Sequence, residues 1–212
     1  MNFFTFTKLG RTLLLAGVVA VSVVCWVGCG GGDEGNDNPA NNNGNNNNGN
    51  NNNGGGSVPI EKWMKTNLNV ETADSWCYDN DPINCDKYGR LYTWEAAKRA
   101  CQLDGKRLPT RAEWEALVKA AGGADIAGKK LKARSGWYNN GNGTDDYGFS
   151  ALPGGHRNSN GYFSGAGFEG FWWTATEGGS DDAYYRLMSG SGDGVYESSN
   201  EDDGYSVRCV QD

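Results

Sequence analysis

One histidine, His156, stands in the 212 residues. That excludes any site needing two imidazoles, including most histidine-ligated zinc and iron centres. It leaves a single choice for the base of a Ser-His or Cys-His pair. Basic residues are also short: 19 Lys and Arg stand against 26 Asp and Glu, for a net charge of −7. Nucleic-acid binders present a basic face, so the balance argues against that partner. Leu, Ile, Val and Phe are scarce, whereas seven of the eight Trp lie beyond residue 60. Aromatic rings therefore have to build much of the core.

Long apolar runs are missing too. The single candidate runs from Leu13 to Gly28 after Lys8 and Arg11. It falls short of the ~20 residues a helix needs to span a bilayer. A basic start, an apolar stretch of this length and acidic residues beyond it (Asp33, Glu34) read as a secretory signal over residues 1–28. The run closes on Trp26-Val27-Gly28-Cys29-Gly30. A small residue directly before cysteine resembles the lipobox of bacterial lipoproteins, with Trp26 where Leu is usual. The resemblance implies cleavage before Cys29 and lipidation of its sulfur. Cys25 is the poorer competitor, because bulky Val24 precedes it. Acyl chains contribute about 0.8 kcal/mol per buried CH₂, and two or more anchor stably. Residues 29–57 are then almost wholly Gly, Asn and Asp, with NNNGNNNNGNNNN at 41–53. Nothing apolar offsets the chain entropy, so a disordered spacer is expected, with a reach of ~30 Å.

The folded domain is placed at 58–212. Cys77, Cys85, Cys101 and Cys209 form an even set in an exported chain and read as two disulfides, with three connectivities open. Cys77 and Cys85 bracket a turn-rich loop and are near enough to close locally, which leaves Cys101 with Cys209. No C-x₂-C and no histidine partner suggests a metal knuckle. Thr93 caps a helix through Cys101, ended by Gly105. Thr110-x-x-Glu113 is a capping box for a second helix, whose Trp114, Leu117, Val118 and Ala121 repeat at i, i+3, i+4 and i+7. Alternating segments follow at Phe171–Glu177, Ala183–Met188 and Tyr205–Val210. Two helices precede a mainly antiparallel sheet with long loops, an α+β architecture. Trp94, Trp114 and one of Trp172 and Trp173 are expected in the core, and His156 is expected as a hydrogen-bonded loop residue.

The ordered strings Tyr88-Gly89-Arg90-Leu91-Tyr92-Thr93-Trp94, Arg107-Leu108-Pro109-Thr110, Glu113-Trp114, Gly148-Phe149-Ser150-Ala151-Leu152-Pro153-Gly154-Gly155, Trp172-Trp173-Thr174-Ala175-Thr176-Glu177 and Ser206-Val207-Arg208-Cys209-Val210 carry a resemblance. Over residues 60–212 the chain resembles the Fibrobacter succinogenes major paralogous domain, a family of exported, often lipid-anchored proteins without an assigned activity. More loosely, it is similar to the formylglycine-generating (sulfatase-modifying factor) domain and, through it, to C-type-lectin-like folds. There a cysteine on the first helix bonds one on the last strand, a place that Cys101 and Cys209 match.

The formylglycine-generating resemblance implies a copper- and cysteine-dependent oxidase. Its reactive cysteines precede the terminal Arg-Cys, and Tyr184–Tyr205 holds none. Glu169, Glu177, Asp181 and Asp182 offer no distinguished pair for glycoside cleavage, so the expectation is a non-catalytic protein. Residues 136–212 carry 3 basic and 12 acidic residues, against 14 and 11 in 57–135. Aromatics gather in the same later loops. Trp137, Tyr138, Tyr184, Tyr185, Arg186 and Tyr196 are the expected ligand-binding residues. They suit an extracellular glycan or a protein, because flat rings stack on sugar faces or anchor partners. Calcium could find hard oxygen ligands at Asp79-Asn80-Asp81, Asp145-Asp146, Asp181-Asp182 and Glu201-Asp202-Asp203, although none has EF-hand spacing and solvated acidic turns are the expected reading. The competing expectations are the oxidase and a passive surface component. The location expected is the outer membrane or cell surface, with the lipid anchor in the membrane.

Overall fold

A computed structural model describes residues 59–200 and 202–212. The expected leader, the expected lipidation site Cys29 and the expected spacer fall outside the described residues, as does Glu201.

The two expected helices form where their caps dictate. In α2 (Trp94–Leu103) the Thr93 hydroxyl accepts from the Ala96 amide, and the Ala96, Ala97, Ala100 and Cys101 face is buried. Gly105 then turns the chain at φ +68°, a conformation that suits glycine. In α3 (Arg111–Ala120) the capping box closes in both directions. The Glu113 amide donates to Thr110 Oγ1 at 3.2 Å, and the Thr110 amide donates to Glu113 Oε2 at 2.8 Å. Two shorter helices join them, α1 (Pro82–Tyr88) and α4 (Ala127–Leu131). The sequence reads the Cys77–Cys85 stretch as loop, but its second half is α1. Asp81 accepts from the Ile83 amide and Pro82 supplies the first helical φ, a start signal hidden among turn-forming residues.

A two-stranded ribbon pairs β1 (Ser75–Trp76) with β2 (Leu91–Tyr92). The main sheet holds β3 (Gly154–Arg157), β4 (Phe163–Ala166), β5 (Glu169–Glu177), β6 (Ala183–Ser189) and β7 (Tyr196–Asn200). Its order is β4-β3-β5-β6-β7, antiparallel except between β3 and β5. The architecture is α+β.

Successive side chains on a strand point to opposite faces, and β5 is covered on both. Trp172 joins Trp63, Trp114, Phe149 and Met188 on the α3 side. Phe171 and Trp173 join Tyr92, Ala97, Tyr205 and Cys209 on the α2 side. Both tryptophans are fully buried, one more than the sequence pattern requires, and each indole N–H has an acceptor: Asn67 Oδ1 for Trp172 and the Tyr92 carbonyl for Trp173. Trp94 departs from expectation. It is half-buried at the edge of the α2 cluster, because its indole N–H reaches out to the Thr174 carbonyl and Lys98 covers its ring.

Tyr205–Val210 keeps the expected alternation but forms no continuous strand. Tyr205, Val207 and Cys209 enter the α2-side cluster and Val210 the α3-side cluster. The backbone changes partner almost at every residue. Tyr205 exchanges bonds with Tyr92, Ser206 bonds Phe171 and Trp173, Val207 accepts from Leu68, Cys209 from Met64, and Val210 pairs with Arg107. A segment wedged between several others cannot hold one ladder. His156 is likewise not in a loop. It lies on β3 with its ring 5.0 Å from that of Phe171, and its buried Nδ1 has no hydrogen-bond partner among the described residues. Both disulfides form as expected, Cys77–Cys85 and Cys101–Cys209.

Candidate functional site

The exposed side of α3 carries Arg111, Glu115 and Lys119, at i, i+4 and i+8, with the buried Val118 at the foot of the same side. Opposite it, β6 and β7 present Arg186 and Glu197, which are directly cross-strand neighbours. Between them lies an open cleft of about 340 Å³, also lined by Gly123 and Ala124.

Glu197 is shared between two guanidiniums. Its Oε1 lies 2.6 Å from Arg111 Nη2, and its Oε2 lies 2.6 Å from Arg186 Nη2. Two cations on one carboxylate leave an excess positive charge, to which Lys119 adds and from which the exposed Glu115 subtracts. The Arg111 guanidinium also lies over the Tyr184 ring, 4.2 Å from its centroid. The bond to Glu197 raises the Arg111 pKa. Burial lowers that of Arg186, with Glu197 opposing. The Arg186 side chain is only 9% exposed. Its Nη2 also reaches the Arg111 carbonyl at 3.4 Å, while its buried Nε has no acceptor among the described residues. Buried donors are nearly always paired, and Arg186 Nε shares its lack of a partner with Trp63 Nε1, Thr72 Oγ1, Trp114 Nε1 and His156 Nδ1 among the described residues.

Arg111 breaks a local rule. It is the first residue of α3, where the helix dipole disfavours a cation. Glu197 offsets the cost from a different element, and such local conflicts concentrate at functional sites.

The structure brings only part of the expected ligand set together. Arg186 lines the cleft, Tyr184 flanks it beneath Arg111, and Tyr196 is 54% exposed on β7 beside Gly194, one residue from Glu197. Tyr185 points to the opposite face of the sheet, against Trp173 and Tyr205. Tyr138 is exposed but sits over Gly167, at a separate location. Trp137 requires correction: it is 4% exposed in the α3-side core, its indole N–H donating to the Ala151 carbonyl at 2.9 Å, and it offers no ring face to a ligand. Arg111 and Lys119 escape the sequence reading because they resemble the ordinary solvated side of an amphipathic helix. The misplaced charge at the helix start is the signal that was available.

A second cleft of about 440 Å³ is acidic, lined by Trp94, Glu95, Glu177, Asp181, Asp182 and Asp202 among others. Among the described residues no three His, Cys, Asp or Glu side chains come close enough together to hold a metal ion. Asp182 is engaged by the Ser199 hydroxyl.

Neither curated proteins nor solved structures give a match to this chain. A family model does, that of the Fibrobacter succinogenes major domain, over residues 41–211. The match takes in the whole described fold, both disulfides and the cleft between α3 and the sheet, and the chain belongs to the Fibrobacter succinogenes major domain family.

Proposed function

We propose that this chain is an exported lipoprotein, anchored through Cys29 to the outer membrane or cell surface, whose domain binds an extracellular polysaccharide without transforming it. The 1–28 leader pattern and the Asn/Gly spacer support export and display at a distance from the membrane. A C-type-lectin-like plan is supported by the Cys101–Cys209 bond, which ties the Thr93-capped helix to the carboxyl end. The observation that carries the binding reading is the open cleft lined by Arg111, Arg186 and Lys119 and flanked by Tyr184.

The four cysteines of the domain are all in disulfides, so an oxidase reading has no thiol pair to use there. The carboxylates of the acidic cleft are spread over α2 (Glu95), the end of β5 (Glu177) and the loop positions Asp181, Asp182 and Asp202, with no pair distinguished as acid and base.

The test is retention of the purified, disulfide-intact chain on a panel of immobilised acidic and neutral polysaccharides. Reproducible retention of at least one polymer, weakened by Tyr184→Ala, is the expected result. No retention on any polysaccharide, or a ligand that proves to be a protein, overturns the reading.

A further inference from the structure

We infer that the cleft selects polysaccharides bearing carboxylates, with a uronate group docking on the guanidiniums of Arg111 and Arg186 at the start of α3. The inference rests on the polysaccharide reading above and names the chemistry of its ligand.

Three features of the cleft converge on an anion. Arg111 stands at the first position of a ten-residue helix, so its charge adds to the positive end of the dipole. Arg186 supplies a second guanidinium to the cleft lining. Its side chain is nine-tenths buried in the cleft wall, and its Nε–H finds no acceptor among the described residues. The protein's own carboxylate, Glu197, is already divided between the two guanidiniums, one oxygen to each. Each arginine therefore keeps N–H donors that Glu197 does not reach. An arginine fork matches a carboxylate in a planar, two-bonded geometry that a hydroxyl cannot reproduce. Lys119, two turns along the same face of α3, is spaced to meet a further charge on a repeating polymer. Tyr184, beneath Arg111, holds that guanidinium in place from below.

The rest of the molecule opposes a polyanion. The chain carries −7 overall, and residues 136–212 are strongly acidic. Long-range attraction is therefore absent, and discrimination has to arise at contact, where two cations meet one ligand carboxylate. The acidic cleft beside Trp94 would repel the same polymer, which leaves the α3 cleft as the favoured place.

The experiment compares the whole chain, disulfides intact, against polygalacturonate, fully methyl-esterified polygalacturonate and the neutral glucan dextran. Esterification keeps the backbone and removes the charge. The expected result is retention of the acid form, with at least ten-fold weaker binding of the ester and of dextran. Arg186→Gln alone could disturb the fold, so the exposed Arg111→Gln and Lys119→Gln variants carry the test. Each should weaken polygalacturonate binding several-fold while leaving the thermal midpoint unchanged. Equal binding of acid and ester, or no effect of Arg111→Gln, overturns the carboxylate inference and leaves polysaccharide binding standing. No binding to any of the three, together with none across the wider panel, overturns both.

Discussion

Arg208 is fully buried, and every acceptor its guanidinium reaches is an amide oxygen: Asn67 Oδ1, and the carbonyls of Met64, Phe149 and Ser150. Burial without a contacting carboxylate lowers its pKa, with Asp145 opposing from a distance. The residue works as a polar tie between three separate stretches of chain. Arg208→Met would leave the Met64, Phe149 and Ser150 carbonyls without this donor, while Asn67 Oδ1 keeps that of Trp172, at about 1–3 kcal/mol for each carbonyl left unsatisfied. A loss of roughly 3–5 kcal/mol in total is expected, read from urea unfolding with the disulfides intact. Glu113 acts at the same scale. Burial pushes its carboxyl pKa up, but two bonds from Arg107 and one from the Thr110 amide outweigh this and hold it below the usual range. As pH falls, the unfolded chain takes up this proton first, near pH ~4.3. The stabilisation is complete above that value and is lost as pH falls through the lower folded pKa. Glu113→Gln should therefore lower the thermal midpoint at pH 7 and flatten its decline between pH 5 and pH 3, as measured by calorimetry across that range.

Helices and crosslinks act at the next scale. The Thr110–Glu113 box is legible in four consecutive residues because its bonds run between atoms that neighbour one another in the chain. Helix α1 is not legible in the same way, since its cap and its proline lie inside a run that equally suits turns. The disulfides differ in what they constrain. Cys101–Cys209 closes a separation of 108 residues and Cys77–Cys85 one of 8. Loop entropy assigns roughly 4–5 kcal/mol to the longer closure and roughly 2.5 kcal/mol to the shorter. The Cys101→Ala/Cys209→Ala pair should therefore lose about twice the stability lost by Cys77→Ala/Cys85→Ala. Urea midpoints of the two variants, compared at equal m-values, check the order. A larger loss for the short loop would show that strain or packing, rather than closure, sets the stability.

For the whole molecule, the organising fact is that the sheet is covered on both faces and the carboxyl-terminal segment is threaded between its layers. Alternation along Phe171-Trp172-Trp173 predicts opposite faces, but not that both are buried. That depends on α2 and α3 packing from opposite sides. The same packing draws Trp137 inward to the Ala151 carbonyl and leaves Trp94 at an edge. It also sets Arg111, a residue with nothing local to recommend it, beside Arg186 and Glu197, 75 and 86 positions further along. The sequence by itself determined the helix caps and the alternation of the strands, because each is written in residues within a few positions of one another. Only the tertiary structure decided which aromatic rings meet solvent and which charges share the cleft. Those outcomes depend on segments brought together from opposite ends of the domain, and neither composition nor spacing along the chain records such distances.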